Sequence, residues 1–183
     1  MSEFDLSELN TEIETGEVRV YTLQTGDREV TRAAARRIIA RCLSLPPEAI
    51  QFEYGPKGKP TLCNDPSLHF SISHAETVSM IAITRTAPVG VDIEKVRSVP
   101  RAEAILRRFF PSEDVESVLS GDNRDLNFVR AWTRAEATVK VRGASLWEAA
   151  TPDPSVTTRD LIAPDGYAAS VAVAAQQWHV TQL

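Results

Sequence analysis

Residues 128–140 read Phe-Val-Arg-Ala-Trp-Thr-Arg-Ala-Glu-Ala-Thr-Val-Lys, and this stretch restricts the fold more than any other. Wound as a helix at about 100° per residue, it lays Ala135, Phe128, Val139, Trp132 and Val129 on one apolar arc. Glu136 falls inside that arc, between Trp132 and Val129. A carboxylate on a core-facing stripe costs free energy unless positive charge or a donor meets it. Lys140 stands one turn on, and two readings follow. One is a weakly stabilising Glu136–Lys140 pair at the edge of the stripe. The other is a site to which the fold brings a basic side chain, a metal ion, or both.

A second carboxylate pattern lies upstream. Residues 88–94, Pro-Val-Gly-Val-Asp-Ile-Glu, alternate as a strand, with Val89, Val91 and Ile93 on one face and Gly90, Asp92 and Glu94 on the other. Two carboxylates about 7 Å apart on one strand face repel each other and suit a hard cation, which takes oxygen ligands. An exposed acidic strand edge is the plainer alternative.

Around these stretches the elements form two similar runs. Residues 1–16 are polar, acidic and expected to fray. Residues 17–23 read as a strand with Val18 and Val20 on one face. Residues 28–43 follow as a basic helix, with Arg28, Arg32, Arg36, Arg37 and Arg41 around an apolar line of Ala34, Ile38 and Cys42. Strands are expected at 50–54, 68–73 and 78–84, and a loop carrying Lys57 and Lys59 at 55–60. Past the acidic strand come helices at 101–110, at 112–119 with Glu113 and Asp114 in its first turn, and at 125–141 with Gly143 as its stop. A loop to residue 154 and three strands, 156–162, 167–174 and 178–183, close the chain. The fold class expected is α+β. Two pseudo-symmetric lobes, residues 1–96 and 97–183, each pack a helix on a small antiparallel sheet and form one compact unit.

The net charge of −5 argues against broad binding to nucleic acid or anionic membrane, while the local basic clusters suit a small anionic ligand. Cys42 and Cys63 form no CxxC and read as reduced thiols of a cytoplasmic protein. No apolar run nears the ~18 residues of a transmembrane helix, and no charged-then-apolar leader opens the chain.

Four separated segments resemble the Sfp-type 4′-phosphopantetheinyl transferases. Val89-Gly90-Val91-Asp92-Ile93-Glu94 resembles their (V/I)G(V/I)D-x-E motif. Trp132-Thr133-x-x-Glu136-Ala137-x-x-Lys140 resembles W-(S/T)-x-K-E-(A/S)-x-x-K. Phe70-Ser71-Ile72-Ser73-His74 is similar to F-x-(I/L)-S-H, and Gly58-Lys59-Pro60 matches a loop just upstream of it. Order and spacing make the resemblance specific over about residues 30–145. The Trp132 form and the two-lobed length favour the Sfp type over the shorter, trimeric holo-acyl-carrier-protein synthase type.

The resemblance implies an enzyme that moves 4′-phosphopantetheine from coenzyme A to a serine of an apo acyl or peptidyl carrier protein, releasing 3′,5′-ADP. It implies Mg²⁺ held by Asp92, Glu94 and Glu136, with Lys140 on the pyrophosphate. Glu136 is the family's general base, acting through a water, with Glu94 or hydroxide as the other choices. Arg36, Lys59 and His74, with Ser73 beside them, fall on the 3′-phosphate of coenzyme A. Arg37 rivals Arg36 in the count, and Arg28 or Arg32 stand in for basic residues that the family places further upstream. His69 and His179 match no family position and read as structural. A monomer is expected. Arg97, Arg101, Arg107 and Arg108 are candidates for a surface that meets the acidic carrier, and an ordinary solvated helix face explains each equally well. Whether the carrier serves fatty-acid, polyketide or nonribosomal-peptide synthesis is not encoded in these motifs.

One position departs from the pattern. Ala135 stands where the family has a lysine before the helix glutamate, at a cost of about 1–3 kcal/mol if a phosphate contact is lost. Arg134 projects about 160° away from Glu136, leaving Lys57 or Arg142 as substitutes. The alternative reading is a degenerate homologue that binds coenzyme A or a carrier protein without efficient transfer.

Overall fold

A computed structural model describes residues 12–55, 58–143 and 153–183, with the side chains of Glu113 and Asp114 outside the description. Lys57, residues 1–11 and most of the loop expected after Gly143 thus lie outside the described residues, as do the acidic side chains expected in the first turn of 112–119.

Strand β1 (Glu17–Leu23) is buried on both faces, with Val18 and Val20 to one side and Tyr21 and Leu23 to the other. Helix α1 (Arg28–Cys42) starts where the Asp27 carboxylate accepts from the amides of Glu29 and Val30 at 2.8 and 3.1 Å. Its buried line runs through Ala35, Ile38 and Ile39, while Ala34 and Cys42, expected at the centre, are half-buried at the rim. A short hairpin follows, β2 (Phe52–Tyr54) with β3 (Pro60–Leu62). β3 begins inside the segment expected as loop, and three residues are too few to show a period. Then come β4 (His69–Ala75), β5 (Val78–Thr84) and β6 (Val89–Lys95). Helices α2 (Ala102–Phe109), α3 (Ser112–Ser120) and α4 (Arg124–Arg142) precede β7 (Thr157–Leu161), β8 (Tyr167–Val173) and β9 (His179–Gln182). The class is α+β, as expected.

The strands are exchanged across the 96/97 division. One sheet runs β4-β5-β1-β9 and the other β6-β8-β7, so β6 pairs with β8 and β9 returns to β1. The β1–β9 pair is parallel, which makes the first sheet mixed where an antiparallel one was expected. The sheets share a core between them, built from Val18, Val20 and Met80 of the first and Val89, Val91, Ile93 and Val171 of the second. α1 covers the far side of the first sheet through Tyr21, Phe70, Ile81 and Ile83. α4 lies on the second, with its contacts on β6 and β8.

The seat of α4 explains why its apolar arc is rotated from the one expected. β8 offers α4 a face of small side chains, Ala168, Ser170 and Ala172. Val129 clusters with Ala168, Thr133 Oγ1 lies 2.9 Å from Ser170 Oγ, and Ala137 and Val141 cluster with Ala172. The i, i+4 steps of the helix thus follow the i, i+2 steps of the strand. Trp132 is half-buried and stacks on Phe128 at 6.1 Å, toward α2 and α3. Ala135 and Glu136 are half-buried at the flank. Gly143, expected as the stop, ends the helix in the left-handed conformation at φ 63°.

Candidate active site

The two motif strands meet under α4. Gly90 lets them: a Cβ there would lie 2.0 Å from the Ala137 carbonyl oxygen, so only glycine lets β6 pass so close under the helix. Two residues on, Asp92 is brought beneath Lys140. The Lys140 ammonium donates to Asp92 Oδ1 at 2.7 Å, to Ser73 Oγ at 3.0 Å and to the Val91 carbonyl at 3.1 Å. Ser73 Oγ in turn donates to Asp92 Oδ1 at 2.8 Å. Lys140 thus pairs with Asp92 rather than forming the i, i+4 pair with Glu136, and among the described residues Glu94 and Glu136 have no ion-pair partner.

The other oxygen of Asp92 is bare. Asp92 is 3% exposed, and its Oδ2 is buried without a hydrogen-bond partner. Burial pushes the Asp92 carboxyl up, with Lys140 and Ser73 opposing it. Glu94 is raised by burial and then by the charges of Asp92 and Glu136. Glu136 is raised by burial and then by Asp92. Burial raises all three carboxyls, the charge of Asp92 adds to this at Glu94 and Glu136, and one of the three holds an orphaned oxygen, the type of donor a hard cation takes. Among the described residues no group of three His, Cys, Asp or Glu side chains is close enough together to hold a metal ion.

The two-residue period of β4 separates Ser73 from His74. Ser71 and Ser73 point to β6, and Phe70, Ile72 and His74 point toward α1. His74 therefore lines a cavity of about 160 Å³ with Arg28, Arg32, Phe52 and Tyr54. Its imidazole is lowered by burial first, then by Arg28, Lys140 and Arg32.

Two residues expected beside His74 are engaged elsewhere. The Arg36 guanidinium bonds the Ile50 carbonyl and lies 4.8 Å over the Phe52 ring, behind that wall of the cavity. The Lys59 ammonium donates to the carbonyls of Lys140, Val141 (3.1 Å) and Val89 (3.3 Å). Arg28 and Arg32, the stand-ins, are the arginines that reach the cavity. His69 lines a separate groove beyond Lys59, and His179 is exposed on β9. The lysine replaced by Ala135 finds no substitute in Arg134, held by Asp160 at 2.7 and 2.5 Å, nor in Arg142, paired with Asp153. Ser71 was not singled out by its sequence, although its i, i+2 spacing from Ser73 marks both as facing one way.

A family model described as the 4′-phosphopantetheinyl transferase superfamily matches residues 88–181. The chain is 30% identical over 166 residues to the 4′-phosphopantetheinyl transferase HetI of Nostoc sp., covering 80% of this chain and 70% of HetI. It is 32% identical over 133 residues to the 4′-phosphopantetheinyl transferase AcpT of Salmonella typhi, covering 72% of this chain and 68% of AcpT. With the 4′-phosphopantetheinyl transferase psf-1 of Bacillus pumilus it shares 34% over 113 residues, 61% of this chain and 47% of psf-1. The chain thus spans about half the length of some curated relatives and about 70% of others. It belongs to the 4′-phosphopantetheinyl transferase superfamily. No helix among the described residues is long and apolar enough to cross a membrane.

Proposed function

We propose that this chain transfers 4′-phosphopantetheine from coenzyme A to a serine of an apo carrier protein. The serine Oγ attacks the β-phosphorus, a new O–P bond forms, and the P–O bond toward the α-phosphate breaks with its electron pair leaving on 3′,5′-ADP. The observation that carries this reading is Asp92, with one oxygen held by Lys140 and Ser73 and the other buried and bare, its charge felt at Glu94 and Glu136. Asp92, Glu94 and Glu136 would hold Mg²⁺, which supplies positive charge opposite the pyrophosphate when bound.

The remaining work falls to the chain's own groups. Lys140, whose three N–H donors are met by Asp92, Ser73 and Val91, keeps its positive charge at the mouth of the site, opposite the pyrophosphate. Glu136 is half-buried beside Asp92 and is assigned the serine proton through a water, with Glu94 as the second choice; a bound cation would oppose the rise in proton affinity that burial gives both. Arg28, Arg32 and His74 offer cations for the 3′-phosphate between the aromatic walls Phe52 and Tyr54. Arg97 is exposed and its charge is felt at Glu94, so it borders the side from which an acidic carrier would approach. Arg107 is engaged with Glu103, and Arg108 lies over Phe109.

The test is intact-mass spectrometry of several apo acyl and peptidyl carrier proteins after incubation with the chain, coenzyme A and Mg²⁺. The expected result is a gain of one phosphopantetheine on a serine, abolished by EDTA and by Glu136→Ala. No gain on any carrier would overturn the reading.

A further inference from the structure

The edge of β6 that faces β4 is closed by side chains instead of a backbone ladder. The amides of Val91 and Ile93 donate to Ser71 Oγ at 3.1 Å and Ser73 Oγ at 3.4 Å. The carbonyls of Val89 and Val91 accept from the ammonium groups of Lys59 at 3.3 Å and Lys140 at 3.1 Å. Two of these four side chains, Ser73 and Lys140, also hold Asp92. The other two, Lys59 and Ser71, touch none of the acidic groups.

Lys59 reaches further than its bond to β6. Its ammonium has three N–H donors, and they meet three carbonyls, those of Val89, Lys140 and Val141. The last two belong to the final turn of α4 and carry its negative end, the Lys140 carbonyl also accepting from the Gly143 amide at 3.2 Å. One side chain from the β2–β3 hairpin therefore ties the start of β6 to the end of α4. Glu94 and Asp92 stand on the strand so held, and Glu136 and Lys140 on the helix. Burial and the neighbouring Lys140 pull the Lys59 ammonium down to about 8, and the half-buried side chain lines the groove that holds His69. The cavity that holds His74, Arg28 and Arg32 lies on the opposite side of β4 from Ser71.

We propose that Lys59 and Ser71 are positioning residues: Lys59 fastens the edge of β6 to the end of α4, Ser71 fastens the same edge to β4, and together they set Asp92 and Glu94 against Lys140 and Glu136 without reaching the nucleotide. This rests on the transferase reading above. It assigns Lys59 a different task from the 3′-phosphate contact that the Gly-Lys-Pro resemblance implies.

The test compares coenzyme A with 3′-dephospho-coenzyme A as donors for wild type, Lys59→Met, Lys59→Arg, Ser71→Ala and Arg32→Ala. For Lys59→Met, kcat should fall about ten- to a hundredfold, the scale of a displaced catalytic group, with KM for coenzyme A within about twofold. Its preference for coenzyme A over the dephospho form should equal that of wild type. Lys59→Arg, still able to donate to carbonyls, should recover most of kcat. Ser71→Ala should lower kcat by about threefold to tenfold with the same preference. Arg32→Ala should lose the preference instead. A preference that collapses in Lys59→Met, or a kcat that stays at the wild-type value, would overturn the proposal.

Amide hydrogen exchange of the substrate-free proteins gives a second readout. Lys59→Met should speed exchange in the last turn of α4, and Ser71→Ala should do so at Val91. If wild type modifies no carrier while these amides respond, the transferase reading fails and the fastening stands. If they do not respond, the fastening fails whatever the activity.

Discussion

His74 sits among cations, and its protonation reports what binds beside it. Its folded value lies below the ordinary imidazole value of 6.5, through burial and then Arg28, Lys140 and Arg32. Between that folded value and about 6.5 the unfolded chain binds more protons, so this histidine makes stability rise with pH through that window and adds no further change above it. A phosphate seated against Arg28 and Arg32 reverses the local field and favours the imidazolium. NMR titration of the imidazole, assigned with His74→Gln, should move from below 6.5 in the free protein to above it with coenzyme A, and should not do so with 3′-dephospho-coenzyme A. An unmoved value with coenzyme A bound would place the 3′-phosphate elsewhere. At this scale a two-residue period put Asp92 and Glu94 on one strand face and a helical period put Glu136 where it needed charge, while the family resemblance alone joined the three as metal ligands. The partners of Lys59 and the choice of Arg28 and Arg32 over Arg36 were not legible. They depend on how a hairpin and a helix approach other elements, which a count of positions along the chain does not contain.

The element-scale constraint is the crossing of β6 under α4. Gly90 has no positive φ to defend; its need is space, since a Cβ would lie 2.0 Å from the Ala137 carbonyl and 2.9 Å from Lys140 Cβ. Backbone cannot yield as a flexible side-chain tip can, so Gly90→Ala should push β6 from α4 and cost about 1–3 kcal/mol in denaturant unfolding, the range for overpacking. It should also lower phosphopantetheine transfer more than the stability loss explains, because Asp92 and Lys140 separate. A Gly90→Ala protein with wild-type stability and transfer would show that the crossing has slack. The glycine was visible in the (V/I)G(V/I)D-x-E pattern, and the helix it meets was visible as a helix. Its facing was not. Polarity alone set the expected arc from Ala135 through Phe128 and Val139 to Val129, of which Phe128, Val139 and Val129 are buried, whereas the buried face runs on from Val129 to Thr133 and Ala137 because β8 offers Ala168, Ser170 and Ala172 for close approach. Thr133 is fully buried and bonded to Ser170 Oγ, a polar pair that a hydrophobic wheel reads as surface.

Across the whole molecule, the two sheets hold together by exchange. β6 leaves the N-terminal strands to pair with β8, and β9 comes back to pair with β1, with Val18 opposite Val180 and Val20 opposite Gln182. Strand periodicity revealed every long strand but not this pairing, since any strand edge can accept any other and only the folded layers choose. β9 matters through what precedes it as well as its own ladder. Trp178 is 6% exposed in the core between the sheets, its Nε1 donates to Thr157 Oγ1 at 2.6 Å, and Arg159 lies 4.6 Å over its ring. A chain stopped after Gln177 loses that indole, worth about 3–5 kcal/mol by analogy with large aromatic truncations. It also bares the edge of β1, a template for association. Against a typical total of about 5–15 kcal/mol, the truncated chain should melt far below the full chain and elute in part as aggregates on gel filtration. Trp178→Phe, which keeps a ring and the β9 ladder, should fall between the two. The groups proposed for the active site lie on α1, β4, β6 and α4, so the truncated protein's surviving folded fraction should keep its transfer rate per folded molecule at low temperature. A truncation that melts like the full chain would mean that the core between the sheets closes without its last strand.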